Sequence, residues 1–433
     1  MTAASNENQR ERRVHSQFGI ASRVLAWGWL ASLCLPLSAE DAVNSPPKRI
    51  GGDPKSGIAQ AVVVDGGTLA YTNQFLPVTP KGELLGNDAE SQTAAVLNHL
   101  DEALKRVFSD LSRAVKLNVV VTNADVAVDV RAALARQFAA RSQPAVSFVQ
   151  SRLPHPGALV AIDAVSVAQP PGGRQWFGHN ISRLRGQRPF AQVTSFSDAP
   201  RVYISGQAEK GMDLGEATTK TLASLLATLD HLGLEHDHVA QVKCFLTPMS
   251  EVQAAQDAIA KAFDGPPPPC VFVEWQSSLP IEIEMIVPDL RTAKQIHDAT
   301  VAGQPLPPRE PLEFITPPGM TASPVFCRVV RVNDPRTIFI SGLYSRDAGD
   351  GAAQVNDVFA QLQVILKASG SDLRHLAKAT YYVSDNDASA KLNELRPKFY
   401  DPARPPAASK AQVLGVGMTG RSLTLDMIAV PAK

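Results

Sequence analysis

Residues 327–342 read CRVVRVNDPRTIFISG, and residues 192–206 read QVTSFSDAPRVYISG. Each is a pair of short runs rich in Val, Ile and aromatics, broken by Asn-Asp-Pro or Asp-Ala-Pro, which is strand–turn–strand chemistry. A third stretch, AVVVDGGTLAYT at 61–72, has the same form with Gly66-Gly67 at the break. All three stretches lead into the same order of elements. A helix comes next, with an apolar stripe of Val96, Leu97, Leu100, Leu104 and Val107 in the first segment. In the second the stripe is Leu222, Leu225, Leu226 and Leu229, and in the third it is Val358, Phe359, Leu362, Ile365 and Leu366. Steps of three and four put each set on one helix face.

A strand then ends at Thr122, Thr247 or Ser384, and a shorter helix ends at Phe138, Phe263 or Phe399. The intervals are 16, 16 and 15 residues. Two strands close each unit, the last being LVAIDAV, IEIEMIV or LTLDMIAV. A repeat of 125 to 137 residues is an internal triplication. Each unit reads ββαβαββ, an α+β class with two helices on one face of a mixed or antiparallel sheet. Proline-rich punctuation sets the boundaries: units at 56–168, 190–288 and 312–431, with linkers at 169–189 and 289–311. The second linker is expected to carry a short helix near Arg291–Thr300.

Three units agree with a length of 433 residues at about 150 residues per domain. Hydrophobic residues make up 44% and charged residues 19%, enough apolar material for real cores and too much for wholesale disorder. Lys and Arg number 42, as do Asp and Glu, so no basic surplus points to nucleic acid. Residues 1–39 read as a leader: Arg10, Arg12, Arg13 and Arg23 precede an apolar run, Val24 to Leu37, with Ser38-Ala39 offering a cleavage point. The alternative is a short uncleaved anchor. A cleaved leader implies an exported protein, periplasmic or secreted, without stable membrane insertion. It leaves 38 basic and 40 acidic residues, and Cys244, Cys270 and Cys327. Such a sparse set is no disulfide framework; it admits a Cys244–Cys270 bridge but favours three buried thiols.

The motifs carry a resemblance. Val202-Tyr203-Ile204-Ser205-Gly206-Gln207 and Ile338-Phe339-Ile340-Ser341-Gly342 resemble a strand end of the RidA family. Phe245-Leu246-Thr247, Ile281-Glu282-Ile283-Glu284 and Leu423 to Ala429 resemble its later strands, and Leu153-Pro154 with Ala158-Leu159-Val160 resembles the turn before the last one. These are small enamine/imine deaminases, also called YjgF-like or L-PSP endoribonuclease proteins. The resemblance implies a chorismate-mutase-like fold, homotrimers with their sheets in a central β-barrel, and active sites in the clefts between subunits. Three linked copies are therefore expected to form an intramolecular pseudo-trimer, monomeric as a chain, with up to three unlike clefts for a small-molecule ligand. No cofactor or metal is implied.

Hydrolysing an imine beside a carboxylate needs a guanidinium fork, a carboxylate to activate water, and donors to fix the imine end. The resemblance assigns the water to the last acid of the closing strand, here Asp163, Glu284 and Asp426. Parity also allows these as plain polar residues, since Glu282 and Thr424 share the face of Glu284 and Asp426. The strand-end donors would be Thr72, Ser205, Gly206, Ser341 and Gly342. The family's Pro-Ala-Arg-Ser arginine is absent: Val146, Pro269 and Ala408 stand at its place, and Ile58 and Phe190 replace its tyrosine. Lys410 is the candidate substitute cation, ahead of Lys243, Arg152 and Arg421. Without the fork, little deamination of 2-iminobutanoate is expected, and a non-catalytic small-ligand-binding or scaffold protein is the alternative. Ribonuclease activity is least favoured by the charge. His231, His236 and His238 lie at a helix end without a local Cys and read as a solvated loop rather than a metal site.

Overall fold

The computed structural model describes residues 46–139, 142–169, 190–196, 199–306 and 308–432. The expected leader at 1–39 and residues 170–189 of the expected first linker lie outside them. The first segment runs β1 (Lys48–Ile50), β2 (Ala61–Asp65), β3 (Thr68–Thr72), α1 (Ala89–Lys105), β4 (Ala114–Val121), α2 (Ala124–Phe138), β5 (Ala145–Gln150) and β6 (Val160–Ala168). The second runs β7 (Val193–Phe196), β8 (Arg201–Gln207), α3 (Leu214–Leu232), β9 (Gln241–Leu246), α4 (Val252–Ala262), β10 (Cys270–Glu274) and β11 (Ile281–Pro288). Helix α5 (Leu290–Val301) fills the expected second linker. The third segment continues as β12 (Leu312–Ile315), β13 (Val329–Val332), β14 (Arg336–Leu343), α6 (Gly351–Ala368), β15 (Leu376–Val383), α7 (Asn386–Leu395), β16 (Ala407–Gln412) and β17 (Leu423–Ala429).

Local chemistry fixes the helices. Asp88, Asn123, Asp213, Asp289, Asp350 and Asp385 each accept a hydrogen bond from the backbone N–H three residues on. Caps of this kind stabilise by about 1 kcal/mol each. Of the expected stripes all but Leu226 are fully buried, and each stripe packs in one of three cores between a helix pair and its sheet. Among the described residues no helix is long and apolar enough to cross a membrane.

The strands form three open sheets, ordered β1-β2-β14-β17-β15-β16, β10-β9-β11-β8-β13-β12 and β5-β4-β6-β3-β7. This corrects two expectations. No closed central β-barrel forms among the described residues. And the strands of each expected pair do not pair with each other. After the turn the chain changes sheet: β2 lies antiparallel to β14, β7 to β3, and β13 to β8. Each segment thus lends its first strand to a neighbour's sheet, in a closed cycle. The reason lies in two-sided burial. Ala61 and Val63 pack against the third segment's core, while Val62 and Val64 join a core drawn from all three segments. The sheet faces turned away from the helices meet in that shared core.

Candidate functional site

Along β4, β9 and β15, alternation turns Lys116 and Asn118, Gln241 and Lys243, and Lys378 and Thr380 away from the helices. On the neighbouring closing strands Asp163 stands opposite Asn118, Glu284 opposite Lys243, and Asp426 opposite Thr380. These six positions converge. The three acids expected one to a cleft are instead together in the interior, at 0%, 3% and 7% exposure; Glu284, Asp426 and Asn118, the partner of Asp163, line a cavity of about 30 Å³, the size of one water. Ion pairs cross between segments. Lys116 Nζ lies 2.8 Å from Asp426 and also donates to Ser147 Oγ and the Ile340 carbonyl. Lys378 Nζ lies 2.7 Å from Glu284 and 2.9 Å from Thr380 Oγ1. Lys243 Nζ lies 3.8 Å from Glu284 and 3.6 Å from Asp426. Asn118 donates to Asp163 at 2.9 Å.

Burial pushes the Asp426 carboxyl up, but the ammoniums of Lys116, Lys243 and Lys378 outweigh it and hold the group below the usual carboxylate range. Asp163 lacks such a contact, and burial pushes it up to about 6 against the pull of Lys243 and Asn118. A carboxyl raised above its unfolded value of about 4 stabilises the fold below that pH, and the contribution is lost as pH rises through 6. Asp163→Asn is therefore expected to raise the melting temperature by several degrees at pH 8, where the parent holds a buried charge. At pH 4.5 the gain should nearly vanish, and thermal denaturation at the two pH values checks the sign.

Strand register also sets which residues are equivalent at the three junctions. Val146 pairs with Leu117, Cys270 with Val242, and Ala408 with Ala379. The place of the missing arginine in the second segment is thus Cys270, one residue beyond Pro269. Likewise Asn73, not Thr72, matches Ser205 and Ser341: their backbone N–H groups bond the carbonyls of Gln192, Arg328 and Gln60. The Thr72 hydroxyl is spent on Asn73 O and Ala164 N.

Two junctions are sealed. Between the first and second segments, Asn73 Oδ1 accepts from Cys270 N at 2.8 Å, and the Gln74 amide bonds both backbone groups of Phe272. Between the third and first, Ser341 Oγ donates to Ala59 O at 2.6 Å and accepts from Val146 N at 2.7 Å. Gly342 lies flat against Ser147, where a Cβ would come 3.2 Å from its Cα. The donors expected there are thus saturated by protein.

The junction of the second and third segments is open, a cleft of about 610 Å³. A register shift between β8 and β11 marks a bulge at Ser205-Gly206. There Gly206 N–H donates to Ser409 Oγ at 3.1 Å, while Ser205 Oγ donates to Arg328 O. The Glu282 carboxylate accepts from Ser409 and sits so near Gly206 that a Cβ would come 2.0 Å from Oε1. Only glycine permits that approach. Burial pushes Glu282 up to about 7, with Glu284 adding repulsion and the Ser409 bond opposing. Its counterparts by register are Ala161 and Thr424, so this junction alone holds an acid there. Glu282 escaped the sequence assignment because it shares a face with Glu284. Parity gives the face, and the two-residue difference along the strand separates cleft from core.

Lys410 lines this cleft, half-buried; its Nζ donates to Ser389 Oγ at 3.0 Å and Asn393 Oδ1 at 3.2 Å. Arg396 and Arg328 line it too, over the rings of Tyr381 and Phe326. The other cations considered lie elsewhere. Arg152 pairs with Glu274 at 3.3 Å, Arg421 donates to the Ser345 and Arg346 carbonyls, and Lys243 is in the charged core. His236 bonds Asp230 on the surface. His238 gathers with Glu235 and Asp237 within 4.8 Å, but both acids are exposed and nothing more marks a metal site. Cys244, Cys270 and Cys327 are buried free thiols. A second groove, about 660 Å³, runs between α1 and α2. Its charges are mutually paired (Lys105–Asp101, Arg136–Glu90), so it is solvated surface.

Known proteins resemble this chain over stretches about the length of one segment. Protein DfrA of Myxococcus xanthus is 30% identical over 112 residues, 24% of this chain and 84% of that protein. A member of the YjgF protein family from Neisseria meningitidis is 23% identical, over 29% of this chain and 96% of its own, with a TM-score of 0.22. Yeast Mmf1 is 19% identical, over 29% and 98%, with a TM-score of 0.22. The family described as Endoribonuclease L-PSP matches residues 55–168 and 320–430. Those two stretches exceed half of the 433 residues, and the chain belongs to the Endoribonuclease L-PSP family, the YjgF/RidA proteins.

Proposed function

We propose that this chain is a triplicated, pseudo-trimeric RidA-like protein in which one of three clefts still works. At the junction of the second and third segments it would hydrolyse a small imine or enamine to a ketone and ammonia. The observation that carries this is Glu282, an acid with a proton affinity near neutrality inside the open cleft. A base poised near the working pH is what water activation needs. Glu282 takes a proton from water as the oxygen adds to the C=N carbon. Glu282 returns that proton to the nitrogen to give the carbinolamine, then takes the carbinolamine's hydroxyl proton and passes it to the nitrogen as the C–N bond breaks, so that ammonia leaves as the carbonyl forms. The Ser409 hydroxyl, itself held by the Gly206 N–H, fixes the Glu282 carboxylate throughout. With the leader read at 1–39, the reaction would take place outside the cytoplasm. A second reading, ligand binding without turnover, is favoured by Ala408, which supplies no fork beside the cleft.

The test is release of 2-oxobutanoate and ammonia from 2-iminobutanoate generated in situ. Turnover above the uncatalysed rate is expected, with a loss of about 100-fold or more in Glu282→Gln. Asp163→Asn should leave it within a few-fold of the parent. A folded parent with no turnover sinks the hydrolase reading and leaves the binding one.

A further inference from the structure

The open cleft holds more cations than the fold consumes. Among the described residues, none of Arg328, Arg396 and Lys410 forms an ion pair with a carboxylate, although all three line it. Elsewhere among the described residues, cations such as Arg331 and Arg346 do pair, with Glu313 and Asp357. Arg396 Nε is buried with no hydrogen-bond partner. The guanidinium is held over the Tyr381 ring, whose hydroxyl is tied to Tyr400, so its place is fixed before any ligand arrives. Lys410 stands near enough for Arg396 to depress its proton affinity, after the larger effect of burial. Lys410 bonds Ser389 and Asn393, and Arg396 bonds to and stacks on Tyr381, but among the described residues no carboxylate pairs with either charge.

We propose that Arg396 and Lys410 form a clamp for the carboxylate of the cleft's ligand, replacing from the end of α7 and from β16 the fork that Ala408 lacks. Charge selects the ligand class. Arg328, Arg396 and Lys410 bring three positive charges to the cleft lining and Glu209 and Glu282 two negative, so a single further negative charge balances the site. A monocarboxylate supplies that charge, and the planar guanidinium matches its two oxygens. A phosphate dianion would crowd Glu282. This rests on the reading of the same cleft as the working site, but concerns how a ligand is held rather than whether it reacts.

The experiment is calorimetric titration of the full chain with 2-oxobutanoate, uncharged 2-butanone and inorganic phosphate. 2-Oxobutanoate should bind at least tenfold more tightly than either, and more weakly as salt is raised. Lys410→Met should weaken it about fivefold, Arg396→Met tenfold or more, and Arg396→Lys should recover part of the loss. Because Arg396 also packs on Tyr381, Lys410→Met and Arg396→Lys keep the test readable if Arg396→Met fails to fold. Unchanged affinity in Lys410→Met and Arg396→Lys overturns the clamp, as does equal binding of 2-butanone or tighter binding of phosphate. Glu282→Gln separates the two ideas: it should abolish turnover while retaining 2-oxobutanoate. Absent turnover in the parent with charge-dependent binding would end the hydrolase reading and leave the clamp standing.

Discussion

Lys378→Met is expected to cost about 3–5 kcal/mol of unfolding free energy, the usual penalty for stranding one half of a buried ion pair. Its ammonium lies 2.7 Å from Glu284, which is 3% exposed, and the next cation, Lys243, is 3.8 Å away. Without Lys378 the glutamate loses its nearest partner in a site closed to water. Urea unfolding measures the loss, with the slope against denaturant unchanged if the native fold persists. The partner experiment is Lys378→Met with Glu284→Leu. Removing both charges should recover most of the loss, because buried pairs add little net stability over apolar packing. A single variant that loses less than about 1 kcal/mol would show that Glu284 is not held by Lys378.

That same ion pair explains where sequence reading succeeded and where it stopped. The helices are legible from two signals: an apolar stripe marks the longer helix of each segment, and a phenylalanine lies at or just past the end of the shorter one. The turns at Gly66-Gly67, Ala199-Pro200 and Asn333-Asp334-Pro335 were legible too. What a turn does not encode is the edge its strand will join, and β2, β7 and β13 each join a neighbour's sheet. Register was legible to within one residue. The motifs put the missing arginine at Pro269 and a strand-end hydroxyl at Thr72, while pairing selects Cys270 and Asn73. Parity placed Glu284 and Glu282 on one face, but a two-residue shift along that face is the difference between a core counter-ion and a cleft acid. Sealing was not legible at all. It depends on Gln74 meeting Phe272, residues 198 positions apart whose contact no local pattern announces.

Expressed alone, residues 312–431 are expected not to form a folded monomer. On its own this piece keeps α6, α7 and their sheet, and by local propensity it should begin to fold. But β14 would lose β2, leaving the edge that runs from Arg336 to Ile340 unpaired, and β12 with β13 would lose β8, their place of docking. An apolar open edge invites pairing with another chain. The same cut takes Glu284 from Lys378 and Lys116 from Asp426, so the ion pairs that join this segment to its neighbours are lost. Aggregation or self-association is the expected outcome by size-exclusion chromatography with light scattering. Co-expression with residues 40–311 should restore a soluble one-to-one complex. By the same logic, a full chain cleaved between 170 and 189 should elute as one species, because its two pieces still exchange β2 and β7. A cooperative, monomeric 312–431 would mean that the lent strands and the crossed ion pairs contribute little. The order of dependence would then reverse, with each segment a finished domain and the junction cleft a mere contact between them.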